Sequence, residues 1–538
     1  FVSNVTFPHP LGTPVPDGAI FDPASTKQAP NGQFYRDQFP LNSIPVARFD
    51  KVSGKIQSLI PQPDNALKIQ NFNPTFPTDR RTPNYSVKLD HQLNKNAKIS
   101  GYFGTNQTRA QYSTNLNQSE GLPGPLTATR GTFTRSYTYR INYDQTLSPT
   151  VLFHLGAGIV NYPFNDNAPY VTYDQVAELG LTGASLNGAA GGRFPSISGL
   201  NSAAQGGMQG MGPGIGGSQT TSRQVIPTFN TSTTWVKNNH TFKFGSELRL
   251  DGWNSYILTG TMGSYTFSAA NTAQPYFNTV PSGAATAGFG YASFLLGEVN
   301  TVRINEPASV RMGKKQWGFF AQDNWKLTRK LTVDVGIRYD YSLAPREQYG
   351  RLPTFDPSIV NASAGGHPGG TAFEATCNCK FSKNYPFAIG PRFGLAYQIN
   401  NKTVLRGGFG IAYSGTPSNV NPSVNPANTI ANPQFGFSVM QFQNGIPASF
   451  HKPFPNLSPS AFPTAASPNL GPPVVVDQNG GRPSRQMQWS AGLQREIFRD
   501  LVVDASYVGN RGVWWQSTDL VDYNAMSIPR LQSFGLDL

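Results

Sequence analysis

No stretch of this 538-residue chain approaches the about 20 consecutive apolar residues that a membrane-crossing helix needs, which excludes a helical membrane protein. Charge is scarce as well. Lys, Arg, Asp and Glu make up 13% of the residues, against about 25% in an average soluble domain, and yet the mean hydropathy is only -0.35. The missing charge is replaced by Ser, Thr, Asn, Gln, Gly and aromatic residues, a mixture that suits strands with one polar and one lipid-facing side. Cysteine is nearly absent. The two present, Cys377 and Cys379, are separated by Asn378, a spacing too tight to staple a fold. A small loop disulfide is the plain reading; a metal site would need further ligands, and His367 nearby sits among Gly and Pro.

The signatures of chemistry are missing too. There is no H-E-x-x-H, no G-x-S-x-G and no P-loop, so no enzyme, cofactor or metal centre is expected. Gly212-Pro213-Gly214-Ile215-Gly216-Gly217 matches G-x-G-x-x-G formally, but it lies in a Gly/Met tract with no strand before it and no helix after it. The six histidines are dispersed, and His154 beside Gly156 and Gly158 reads as a solvated wall residue. Acidic residues are the scarcer sign, 29 against 42 Lys plus Arg for a net charge of +13. The basic residues are scattered, with doublets at Arg80-Arg81 and Lys314-Lys315 but no stripe, which argues against nucleic acid. Attraction to anionic lipopolysaccharide or an anionic solute is the better use of the excess. The chain opens at Phe1 without a charged or apolar leader, so the start reads as internal.

What is present is alternation. Six times, two segments of period-2 pattern face each other across a short polar turn. In the clearest pair, Trp317, Phe319, Ala321, Trp325 and Leu327 share one face and Gln316, Gly318, Gln322, Asn324 and Lys326 the other, with Phe320 and Asp323 as exceptions. After Thr328-Arg329-Lys330, Leu331, Val333, Val335, Ile337, Tyr339 and Tyr341 oppose Thr332, Asp334, Gly336, Arg338 and Asp340. Each arm of about 11 residues is long enough to cross a bilayer when tilted. Further turns fall at Asn94-Lys95-Asn96, Ser148-Pro149, Lys237-Asn238-Asn239, Asn400-Asn401-Lys402 and Phe498-Arg499-Asp500. Two more strands are expected around 264–267 and 291–304, for about 14 recognisable strands.

A soluble sandwich also alternates, so further features must decide. Turns within pairs are short, whereas connections between pairs run to tens of residues, at 105–131, 161–224, 342–390 and 414–486. That asymmetry marks outer-membrane barrels, with short periplasmic turns and long extracellular loops. Tyr and Trp recur near the ends of the apolar faces: Trp235, Trp317, Trp325, Tyr339, Tyr341, Tyr397, Tyr413, Trp489 and Tyr507 are the expected lipid-facing girdle. Arg140, Asp334, Arg338, Asp340, Arg392 and Arg406 fall on the other face and are the lumen candidates for contact with a solute, although such charges also pair with neighbouring strands. The fold expected is all-β, a transmembrane antiparallel β-barrel over residues 81–538. Residues 1–80, with Pro at 8, 10, 14, 16, 23, 30 and 40, read as an extended, loop-like lead-in. Low-complexity tracts at 188–218 and 417–473 read as loops.

The hairpin Phe320-Ala321-Gln322-Asp323-Asn324-Trp325-Lys326-Leu327 followed by Leu331-Thr332-Val333-Asp334-Val335-Gly336-Ile337-Arg338-Tyr339 resembles that of TonB-dependent outer-membrane transporters. Pro391-Arg392-Phe393-Gly394-Leu395-Ala396-Tyr397, Ala505-Ser506-Tyr507-Val508-Gly509-Asn510-Arg511-Gly512 and Phe39-Pro40-Leu41-Asn42-Ser43-Ile44-Pro45 resemble the Oar-like branch, and the likeness covers nearly the whole chain. The resemblance implies a barrel of about 22 strands around an N-terminal plug, energised through a TonB box. No plug or box is legible here, and Leu536-Asp537-Leu538 lacks a terminal aromatic strand, so the chain reads as a section of a longer protein. Two functions follow as expectations: TonB-dependent passage of a large solute (peptide, protein or glycan), or a surface adhesin acting through its long loops.

Overall fold

The computed structural model describes residues 18–67, 79–112, 124–127, 130–167, 173–182, 194–201, 220–257, 262–275, 288–305, 308–350, 353–361, 366–374, 384–414, 434–445 and 482–515, with isolated short pieces elsewhere. Cys377, Cys379, the 213–217 glycine tract and most of the 188–218 and 417–473 tracts lie outside the described residues.

Six antiparallel hairpins form the wall: β1 (Asn84–Asn94) with β2 (Ala97–Tyr112), β3 (Arg130–Ser148) with β4 (Val151–Asn167), and β5 (Thr220–Lys237) with β6 (His240–Ile257). The series continues with β7 (Ala308–Lys326) and β8 (Leu331–Ser342), β9 (Ala388–Asn400) and β10 (Thr403–Tyr413), and β11 (Arg485–Phe498) and β12 (Leu501–Val513). Neighbouring hairpins pair in sequence order, so with the short strands Asp79–Arg81 and Arg346–Glu347 they make one 14-stranded sheet. All six turns fall where the pattern places them. Turn chemistry explains two of them directly: Asn238 and Asp500 take left-handed backbone, at φ 53 and φ 69, which Asn and Asp tolerate better than other side chains.

The wall strands are longer than the alternation suggested. β3 and β7 have 19 residues each and β8 has 12. At about 3.4 Å per residue a 19-residue strand runs to about 65 Å, well past a hydrocarbon layer of about 30 Å. The tall strands β2–β7 therefore continue beyond the membrane on the loop side, where their residues turn polar and the simple alternation of Trp, Tyr and Leu fades.

The strands expected around 264–267 and 291–304 exist but are not wall strands. Ser264–Thr266 and Glu298–Asn305 join Ser196–Ser198, Gly210–Met211 and Gln434–Gln441 in a separate five-stranded sheet. Part of the second stretch is helical, α3 (Gly290–Leu295), with α2 (Gln175–Leu179) and α1 (Lys51–Leu59) beside the sheet. These pieces share one core, in which Ile56, Leu126, Leu181, Phe194, Ile197, Tyr265, Phe294 and Phe442 are fully buried. Every segment of this subdomain except the first belongs to a long connection between hairpins. The first, residues 18–60, was expected as extended chain. Nine of those residues instead form α1, capped by Asp50, whose Oδ1 accepts the Val52 and Ser53 amides at 2.8 and 3.0 Å. Since Asn84 lies at the end of β1 opposite its turn, the leading segment reaches the sheet from the long-loop side and packs there.

Candidate solute-facing wall

Pairing register transmits side-chain parity from strand to strand, because residues directly opposite each other point to the same face. Following it from β1 to β12 sorts the whole sheet. Phe103 pairs with Tyr139, Ile141 with Ala157, Ala157 with Phe229, Phe229 with Leu248 and Leu248 with Trp317. Beyond β7, Trp317 pairs with Tyr341, Tyr339 with Ile389, Phe393 with Phe409, Phe409 with Trp489 and Ala491 with Tyr507. One face is thus apolar along twelve strands. All nine girdle residues lie on it: Trp235 opposite Phe242, Trp325 opposite His240, Tyr397 opposite Leu405 and Tyr413 opposite Arg485, with Trp317, Tyr339, Tyr341, Trp489 and Tyr507 as above. Its side chains are open, with Ile141 at 52%, Ile337 at 51% and Phe319 at 49% exposure. A contiguous apolar band of that extent is stable only against lipid or protein.

The two exceptions to the alternation have local causes. Asp323, on the apolar face, takes a 2.6 Å contact from the Nδ1 of His240, which begins β6 at its turn, and His240 stacks at 5.1 Å on Trp325. Phe320, on the polar face, lies over Gly245, where a Cβ would sit 2.9 Å from the ring. His154, expected to be solvated, is bound at 2.6 Å to Asp144 of the neighbouring strand.

Arg140, Asp334, Arg338, Asp340, Arg392 and Arg406 all fall on the polar face, in two groups. Four are engaged by the wall itself. Arg338 donates from Nε to Asp340 at 2.9 Å and reaches Glu247 at 3.5 Å, and Gly318 leaves the space its guanidinium occupies. Asp334 accepts a hydrogen bond from Asn324, and Arg140 lies 5.7 Å above the Tyr102 ring. Arg392 and Arg406 have no ion pair among the described residues.

Arg392 is the centre of a row that no single hairpin contains. Gln322 pairs with Gly336, Gly336 with Arg392, Arg392 with Gly410, Gly410 with Gln488 and Gln488 with Asn510. In the next row towards the turns, Asn324, Asp334, Gly394, Gly408 and Ser490 follow one another. Amides, a guanidinium and a carboxylate thus project from a floor of glycines, and a hollow of about 750 Å³ lies against them. Such a surface offers many donors and acceptors with little fixed charge and little steric obstruction. The sequence places each of these residues on the polar face but cannot place Gly336 beside Arg392 or Gly410 beside Gln488, since their adjacency depends on how separate hairpins line up. Among the described residues, no group of three or more His, Cys, Asp and Glu side chains is arranged to hold a metal ion.

A family model described as outer membrane beta barrel domain matches residues 5–534. No curated protein sequence matches the chain. Among solved structures, the outer membrane transporter YddB from Escherichia coli is similar at 12% identity and a TM-score of 0.41, over 86% of this chain and 49% of that one. The alcaligin outer membrane receptor FauA from Bordetella pertussis shares 10% identity at a TM-score of 0.35, over 81% and 44% of the two chains. The ferric yersiniabactin uptake receptor FyuA from Yersinia pestis shares 8% at 0.39, over 80% and 45%. The chain spans about half the length of these structures.

Proposed function

Because the chain belongs to the outer membrane β-barrel family and so resides in the bacterial outer membrane, we propose that it forms part of the wall of a TonB-dependent transporter of the Oar-like type. Its solute is large: a peptide, a protein segment or a glycan. The observation that carries this reading is the glycine-floored row of Gln322, Arg392, Gln488 and Asn510 on the polar face. A row of hydrogen-bonding groups on a smooth floor suits a long, hydrated chain sliding past, where a small chelate would be held by a closed pocket. In this reading Arg392 and Arg406 contact the solute, while Arg338, Asp340, Asp334 and Arg140 are engaged by partners within the wall. The apolar face meets lipid, and the TonB complex is the energising partner.

Uptake by cells carrying the full-length protein tests the proposal, with fluorescent dextrans and labelled oligopeptides of graded length as probes. Entry should require an energised inner membrane and fall about tenfold or more in an Arg392→Ala, Arg406→Ala double variant, as the loss of two charge-assisted contacts implies. Uptake that persists in de-energised cells, or that ignores both substitutions, overturns it.

A further inference from the structure

Five arginines on the apolar face stand apart from the rest of it. Arg81 pairs with Arg109, and Arg109 with Phe133; Arg223 pairs with Asn254, and Asn254 with Arg311. Arg135 lies on β3 two residues before Tyr137, again on this parity. All five are exposed and sit at the long-loop end of strands that are otherwise unrelated in sequence. Towards the turns from this level the face is apolar, through Tyr139, Ile141 and Tyr143 on β3 and Ile159, Ala157, Leu155, Phe153 and Val151 on β4. The stretch from Val151 to Ile159 is about 27 Å along the strand, close to the about 25 Å apolar band of an outer-membrane barrel once tilt is included. The arginines therefore stand one step above the hydrocarbon edge.

Charge there is one-sided. Among the described residues of β2–β7, the long-loop end of this face carries no carboxylate; Asp79 on the adjoining short strand, 3.2 Å from Arg81, is the nearest in register. Arg81, Arg109 and Arg135 line a cleft of about 680 Å³ together with Phe133 and Tyr137, and the Arg109 guanidinium lies 5.4 Å from the Phe133 ring. The planar fork of a guanidinium matches two oxygens of a phosphate, and an aromatic floor suits the sugar or acyl base of an amphiphile.

We propose that this arginine belt binds the phosphate groups of a phosphorylated lipid of the outer leaflet, with the cleft of Arg81, Arg109 and Arg135 as its principal site. A soluble solute crossing the barrel would meet the opposite face. An anion-binding surface continuous with a lipid-facing band is placed to recognise a headgroup whose acyl chains lie along that band. The belt fixes the height of the wall in the membrane from outside, and it uses the excess of basic residues that no nucleic acid accounts for.

Native mass spectrometry of the full-length protein in detergent tests this, with bisphosphorylated lipid A and enzymatically dephosphorylated lipid A as probes. The phosphorylated form should be retained about tenfold or more strongly, with the preference shrinking as salt is raised. An Arg109→Gln, Arg135→Gln, Arg223→Gln variant should lose that preference, while Arg→Lys changes at the same three positions keep most of it. Heat-modifiable electrophoretic mobility checks that each variant is a folded barrel. Equal retention of both lipids, or an unchanged glutamine variant that is folded, overturns the proposal. Inorganic pyrophosphate binding as tightly as the lipid, and lost in the same variant, would make this a soluble-anion site and overturn the lipid assignment. None of these readouts depends on uptake, so failure here is distinguishable from failure of the transport reading.

Discussion

Single side chains decide how the loop-side subdomain holds together. Asp50 joins three of its segments: its own amide donates to Leu295, Oδ1 caps α1, and Oδ2 accepts the Gln443 amide at 2.9 Å. Gly297, at φ +71, leaves the room this carboxylate needs, since a Cβ there would lie 2.5 Å from it. Burial pushes the Asp50 carboxyl above its ordinary value despite the three amides, and burial does the same to Glu298. A carboxyl whose pKa is higher folded than unfolded binds its proton more tightly in the fold. Its contribution is therefore greatest below the unfolded value and declines as pH rises through the folded one. Asp22 runs the other way, held low by Arg48 at 2.6 Å, and gives stability that is lost on acidification. Hydrogen exchange at Val299 and Phe294 should accordingly show slower subdomain opening at mildly acidic than at neutral pH. Asp50→Asn should flatten that dependence; an unchanged profile would rule out Asp50 as its source. Phe294, fully buried and edge-on to Phe267 at 5.4 Å, should cost about 3–5 kcal/mol of subdomain stability as Phe294→Ala, visible as faster proteolysis of these segments.

Hairpins are the units in which the sequence is most readable, because a turn fixes register and register fixes both faces. Within β7 and β8 every pairing from Trp317–Tyr341 to Trp325–Val333 could be deduced from alternation and from Thr328-Arg329-Lys330. Parity makes a testable distinction between adjacent residues of one strand. Ile337→Arg places a charge at mid-height on the lipid face and should cost about 2–4 kcal/mol, read from the urea midpoint of barrel folding into lipid vesicles. Gly336→Ser, one residue earlier on the polar face, should shift it far less. Similar costs at the two positions would mean that the faces are wrongly assigned. Strand length was not legible in the same way. Above the membrane the selection for lipid-facing aromatics ends, and polar residues such as Arg135, Asn161 and Asn165 take positions on the same face.

At the scale of the molecule, the long connections are the surprise. They do not all hang separately from the hairpins, since pieces from four of them share one core with residues 18–60. Phe21 donates to Thr272, Arg36 reaches the carbonyls of Asn271 and Ala273 at 3.0 and 2.7 Å, and Ser53 bonds the Phe294 carbonyl. Removing residues 18–60 from the full-length protein should therefore open the whole loop-side sheet while leaving the wall folded. Hydrogen exchange would then rise at Tyr265 and Val299 but not in β7 and β8; protection retained at both sites would show that the loops fold without the leading segment. No alternation announces such a core. Its strands are two to eight residues long, with apolar residues too few per segment to specify a partner.

The sequence by itself determined the class of wall: strands of period two, their turns, the two faces and the side from which loops emerge. It could do so because pleat and turn chemistry act over a few neighbouring residues. Only the tertiary structure decided which residues of different hairpins share a row, as Gly336 and Arg392, or Gly410 and Gln488, do. It alone raised the basic belt to one level and gathered the leading segment and loops into one core. Those outcomes rest on pairings between residues distant in the chain, as Gly336 with Arg392 or Asp50 with Gln443, where hydrogen bonding and burial, rather than any local preference, select the arrangement.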